Sequence, residues 1–155
     1  MVAKKELREK SGFLRVMHKE IGIIFVDRDS PSLSSIKSIL TALKRDRPLL
    51  VFPEGTRNKS GEVGSLLPVK PGAAIFAIKA QAPMIPMMIY KPAKLFRKNY
   101  LYIGEPFDFS EFYGQKLSEE VTEAANEKMR THMLLELENM RDYVENKRWK
   151  KKNRT

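Results

Sequence analysis

The chain has 155 residues, 42% of them hydrophobic, and sets 29 Lys plus Arg against 19 Asp plus Glu for a formal charge of +10. A chain of this length forms one globular domain burying roughly two-thirds of its unfolded surface. Lys70, Lys79, Pro83 and Pro86 interrupt the apolar stretches, so none reaches the roughly 18 uncharged residues of a membrane-spanning helix, and the absence of cysteine removes disulfides, thiolate nucleophiles and zinc-thiolate sites.

Lys4, Lys5, Glu6, Arg8, Glu9 and Lys10 follow Met1 closely and leave no room for the apolar core of a secretory signal, so a cytoplasmic protein is expected. Gly22 to Val26 is a short β-branched run closed by Asp27-Arg28-Asp29-Ser30-Pro31, which reads as a buried strand ending in a polar loop. Ser30 and Pro31 suit the N-cap and first position of a helix, and Leu33, Ile36, Leu40 and Leu43 follow at helical spacing over about four turns. Leu49-Leu50-Val51-Phe52, stopped by Pro53, reads as a second buried strand.

A Gly- and Pro-containing loop runs from Asn58 to Gly72, and Ala73 to Ala80 then predicts a short helix packed through Ile75, Phe76 and Ile78. Strand patterns return at Met84 to Tyr90 and at Tyr100 to Ile103. From Ser118 to about Arg148, Val121, Ala125, Met129, Met133, Leu137, Met140 and Val144 recur at intervals of three or four, which predicts one long amphipathic helix laying its stripe on the sheet. The fold class expected is α/β: a mixed, largely parallel sheet flanked by helices, with a long C-terminal amphipathic helix. In such sheets ligands gather beyond the carboxyl ends of the strands, so the loops at Asp27 and Pro53 can face one site.

The loop after the second expected strand carries the most chemistry. In Phe52-Pro53-Glu54-Gly55-Thr56-Arg57 the proline stops the strand and the glycine lets backbone approach a ligand. The arginine offers a planar fork of donors suited to phosphate, and the glutamate can orient it or bond a hydroxyl. Chemistry alone leaves a phosphate loop and a plain turn equally open. The dinucleotide and nucleoside-triphosphate glycine fingerprints are both absent.

Phe52 to Arg57 resembles the third conserved block of the lysophosphatidic acid acyltransferases (1-acylglycerol-3-phosphate acyltransferases). Val2 to Leu7 and Gly22 to Arg28 resemble the segment before the second block and that block itself, and Lys70-Pro71-Gly72 resembles the lysine-glycine pair after the third. Ala82 to Ile89 is similar to the fourth block and Ile103-Gly104-Glu105-Pro106 to the late strand and turn, so the likeness runs from residue 2 to about residue 140.

The resemblance implies transfer of a fatty acyl group from acyl-CoA or acyl carrier protein to a lysophospholipid hydroxyl, with no metal or redox cofactor. It implies that Arg28 and Arg57 hold the acceptor's phosphate, that Glu54, Gly55 and Thr56 surround its glycerol, and that Lys70 adds positive charge. Phe52, Pro53, Gly72 and Pro86 would shape the pocket. Two guanidinium groups at adjacent strand ends suit one phosphate through charge-assisted bonds; an ordinary ion pair of Arg28 with Asp27 or Asp29 is the second reading.

The family's general base is a histidine followed five positions later by an aspartate. His18 is followed at that distance by Ile23 and His132 by Leu137, so no catalytic residue is assigned and both histidines read as surface or boundary residues. The resemblance implies that the first block would lie upstream of Val2, so residues 1–145 are expected to be an N-terminally incomplete acyltransferase domain of little activity alone. The alternative is a non-catalytic lysophospholipid- or phosphate-binding module. Residues 146–155 form a basic tail in which Lys147, Arg148, Lys150, Lys151, Lys152 and Arg154 surround Trp149; it reads as a frayed terminus or as a foot on an anionic membrane, with peripheral association expected. The charge alone favours nucleic acid no more than lipid, and the recognition signatures of the common nucleic-acid modules are lacking.

Overall fold

The computed structural model describes residues 2–4, 24–26, 32–56, 58, 65–90, 95–96 and 99–145. Strands β1 (Val2–Lys4) and β2 (Ile24–Val26) pair in parallel, Val2 opposite Ile24 and Lys4 opposite Val26. Helix α1 (Leu33–Leu43) packs against β2 and against α2 (Gly72–Ala80). Strands β3 (Met87–Ile89) and β4 (Leu101–Ile103) pair antiparallel, and helix α3 (Glu119–Glu145) closes the described chain. The chain thus combines helices with strands, and its long C-terminal helix is as expected. The largely parallel sheet is not found: among the described residues there is one short parallel pair and a separate antiparallel pair.

The N-cap of α1 is Ser32 rather than Ser30. Its backbone is extended and its hydroxyl accepts the Ser35 N–H at 3.2 Å, which satisfies one of the donors a helix start leaves open. Starting there, α1 has 11 residues, about three turns. Leu33, expected to face the core, is 85% exposed, and Ile39 is the residue buried. Leu49 to Phe52 keeps the in-and-out alternation of a strand, with Leu49 and Val51 half-buried and Leu50 and Phe52 exposed. It joins no ladder among the described residues, so the expected buried strand is not found there.

On α2 the buried face is Ala73, Ala74, Ala77 and Ile78, with Ile75 and Phe76 only half-buried. The small side chains let α3 approach closely, so alanines carry the packing expected of the larger residues. The helix stops at Gln81, whose left-handed φ of 52° turns the chain out of it.

Helix α3, 27 residues long, extends about 40 Å. Ser118 accepts the Val121 N–H at 3.3 Å, and Glu119 and Glu120 lie in the first turn, where the helix dipole favours negative charge. The periodic stripe is the buried one: Ala125, Met129, Leu137 and Met140 are in the core. One cluster joins Ala125 and Met129 to α2, Val69, Phe107 and Phe109, and a second joins Leu137 and Met140 to Met88 of β3. No helix among the described residues is long and apolar enough to cross a membrane.

The stripe also contains Glu136, only 2% exposed. Its Oε2 accepts the Tyr102 hydroxyl at 3.1 Å and the Asn139 amide at 3.5 Å, so the buried carboxylate is satisfied. Burial first, then the bond to Glu136, pushes the Tyr102 phenol above its ordinary pKa. Gly104 leaves room for this carboxylate, since a Cβ there would stand 2.6 Å from Oε2.

Candidate functional site

The chain leaves Val51 and Phe52, reaches Pro53, and turns at once. The Gly55 N–H donates to the Phe52 carbonyl at 3.0 Å and closes a turn around Pro53 and Glu54. Proline's fixed φ suits the first corner of such a turn. Gly55 then takes a φ of +69°, which glycine adopts without the penalty other residues incur.

Three contacts tie this turn to the chain that leads into α2. The Lys70 N–H donates to the Pro53 carbonyl at 2.9 Å, the Leu67 N–H donates to Glu54 Oε2 at 3.0 Å, and the Asn58 amide donates to Ser65 Oγ and to its carbonyl at 2.6 and 3.2 Å. Glu54 therefore has a structural task that sequence reading did not assign: it clasps the far side of the loop with one oxygen. The polar pair Asn58 and Ser65, at the flanks of a glycine-containing stretch, was the available signal for this closure.

Lys70 is held over the turn. A Cβ placed on Gly55 would meet Lys70 Cδ and Cε at 3.2 Å and Nζ at 3.8 Å, so the lysine stem packs closely on the face of Gly55 that carries no side chain. Gly72, two residues on, begins α2, whose N-cap Pro71 makes no side-chain capping bond. The helix's positive end and the Lys70 ammonium thus lie within three residues of chain, an arrangement that favours an anion.

The other expected residues divide. Thr56 and Phe52 are exposed beside the turn and Pro53 is half-buried within it. Pro86 is buried at the entry to β3, where its carbonyl accepts the Gly104 N–H at 2.9 Å. Arg28 and Arg57, the expected phosphate ligands, lie outside the described residues, as do His18 and the tail around Trp149. His132 is half-buried, its ring stacked flat on Phe107 with centroids 4.3 Å apart and its Nδ1 buried without a protein partner. An open hollow of about 530 Å³ between Lys44, Ile78, Lys79 and Gln81 sits at the opposite end of α2 from Lys70 and takes no residue from the turn.

The family model described as Acyltransferase matches residues 1–90. Among curated proteins, the chain is 38% identical over 102 residues to the 1-acyl-sn-glycerol-3-phosphate acyltransferase of Helicobacter pylori, covering 64% of this chain and 42% of that protein. It is 34% identical over 151 residues to the Bacillus subtilis protein of the same name, covering 92% of this chain and 70% of that protein. The similarly named protein of Cocos nucifera is 38% identical over 81 residues, half of this chain and 25% of that protein. The chain thus spans between 25% and 70% of the length of these relatives. No solved structure matches it.

Proposed function

The chain belongs to the acyltransferase family, and we propose that it supplies the acceptor-binding part of an enzyme that acylates a lysophospholipid, converting lysophosphatidic acid to phosphatidic acid. The observation that carries this reading is the clasped Pro53-Glu54-Gly55 turn with Lys70 laid across it. The names of the relatives in which matching segments occur support the choice of acceptor.

In this reading Lys70 sits at the phosphate, joined by Arg28 and Arg57, while Gly55 and Thr56 bound the glycerol. Phe52, Pro53, Gly72 and Pro86 shape the surroundings. Glu54 keeps the turn closed through Leu67 and offers its second oxygen to the acceptor. The donor is an acyl thioester of coenzyme A or of acyl carrier protein, and no metal or redox cofactor enters. The acceptor hydroxyl forms the new ester bond as the carbon–sulfur bond breaks, and its proton passes through a general base to the departing thiolate.

No His-x-x-x-x-Asp occurs in this chain, and the ring of His132, stacked on Phe107, is poorly disposed to act as that base. The 155-residue chain by itself is therefore expected to bind the acceptor and transfer little acyl group. The second reading is a module that binds a lysophospholipid without acylating it. Both place the protein peripherally on an anionic membrane at the cytoplasmic side, a surface that the six cations in the sequence of residues 146–155 suit.

Titration calorimetry with lysophosphatidic acid below its micellar concentration tests the site. A charge-assisted bond contributes about 1.5–3 kcal/mol, so Lys70→Ala or Arg57→Ala is expected to weaken binding by roughly tenfold or more. Binding that is absent, or indifferent to both substitutions, overturns the assignment. Rapid thiol release from acyl-CoA by the purified chain refutes its expected inactivity and removes the second reading.

A further inference from the structure

The β3–β4 ladder has two unlike sides. Met88 is buried and Tyr102 half-buried against the second core cluster, whereas Met87, Ile89, Leu101 and Ile103 are exposed. The register makes the exposed side continuous, because Met87 stands opposite Ile103 and Ile89 opposite Leu101. An apolar surface of this kind, left open to water, marks a docking face more often than an accident of packing.

The connection joining the two strands leaves from the Ile89 and Leu101 end of the ladder. Its described turn consists of Leu95, 83% exposed, and Phe96, 98% exposed. Phe96 has a φ of 59°, in the left-handed region that a bulky residue rarely occupies and that glycine or asparagine holds with less strain. A large aromatic side chain, fully in solvent and on strained backbone, does nothing for the fold, and such outliers concentrate where a function retains them.

The surrounding sequence identifies the partner. Lys91, Lys94, Arg97 and Lys98 flank the pair, and no Asp or Glu occurs between Tyr90 and Gly104. Hydrocarbon for the leucine and phenylalanine, with phosphate for the four cations, is the chemistry of an anionic bilayer interface. A second copy of the chain would set these cations against themselves.

We propose that the Leu95–Phe96 turn, together with the exposed face of the β3–β4 ladder whose strands it connects, forms an insertion surface for an anionic lipid bilayer. This deepens the peripheral-membrane reading above by naming the surface, and it does not depend on acyl transfer or on the basic tail.

The test uses the full chain and vesicles of phosphatidylglycerol and phosphatidylcholine. Trp149 is the only tryptophan, so Phe96→Trp combined with Trp149→Phe gives a single reporter on the turn. Its fluorescence is expected to shift to the blue on binding and to be quenched by lipids brominated along the acyl chain. Leu95→Ser/Phe96→Ser is expected to lower the partition coefficient by at least roughly tenfold with an unchanged melting curve, since both side chains are exposed.

Vesicle binding with an unquenched reporter, and with full affinity in the double-serine variant, overturns this surface while leaving membrane association by another route intact. Absence of vesicle binding altogether overturns both. A dimer in sedimentation velocity that the double-serine variant dissolves, without vesicle binding, assigns the face to a second copy and overturns the proposal.

Discussion

Replacing Gly104 by alanine tests the closest approach to any of the described glycines. The added methyl would stand 2.6 Å from Glu136 Oε2, 2.7 Å from Cδ and 2.8 Å from Cγ, so something must shift. Glu136 is 2% exposed, between α3 and β4, and moving it breaks its bonds to Tyr102 and Asn139. Losing a hydrogen bond to a charged group costs about 1.5–3 kcal/mol and overpacking about 1–3 kcal/mol, so Gly104→Ala is expected to destabilise by about 2.5–6 kcal/mol. For a domain of this size that lowers the melting temperature by about 5–24 °C.

Urea denaturation followed by circular dichroism measures the loss, and a double-mutant cycle with Glu136→Ala isolates its cause. With the carboxylate removed, the methyl has room, and Gly104→Ala is expected to cost under about 1 kcal/mol. An equal cost in both backgrounds would refute the argument, because the strain would then reside in the backbone rather than in the clash.

Glu54→Ala should release the Leu67 amide to fast hydrogen exchange, whereas Glu54→Gln, which keeps an acceptor oxygen, should largely preserve its protection; equal protection in both variants would show that the clasp is not formed by the carboxylate. Ser32→Ala should cost about 0.5–2 kcal/mol through loss of the α1 cap, read by urea denaturation, and a neutral result would place the helix start elsewhere. Stability should fall on both flanks of pH. Backbone and hydroxyl bonds from Ser110 lower the Asp108 pKa, and the Lys128 bond lowers that of Glu111, so their contributions are present above the ordinary carboxylate values and are lost as pH falls through the depressed folded ones. Tyr102, shifted upward, contributes below its unfolded pKa and loses that contribution as pH rises through the folded one. Lys128→Met should flatten the acid limb of the urea midpoint against pH, and an unchanged limb would remove Glu111 from the account.

Helix α3 was the most legible element because its pattern is long and its burial one-sided: a 3.6-residue period repeated over many turns singles out Ala125, Met129, Leu137 and Met140 without knowledge of what they touch. The turn at Pro53 to Gly55 was legible for a different reason, since proline and glycine impose backbone geometry locally. Which residues of α2 face inward was not legible. Ile75 and Phe76 are the more apolar choice, but the spacing set by α3 admits alanine at the contact. Polarity likewise hid Glu136, which reads as a surface residue until Tyr102 and Gly104 are brought opposite it.

The amino-acid sequence by itself determined the family, the place and turn chemistry of the Pro53 to Gly55 loop, and the buried stripe of α3, because each rests on residues close in the chain. Strand pairing is long-range, and only the tertiary structure decided that β3 and β4 pair antiparallel and that Leu49 to Phe52 takes no ladder among the described residues. It also decided that Glu54 is a clasp, that the Lys70 stem packs against Gly55, and that Leu95 and Phe96 stand in solvent while one face of the β3–β4 ladder is open. Those outcomes depend on which distant backbone groups meet and how closely, which no local pattern encodes.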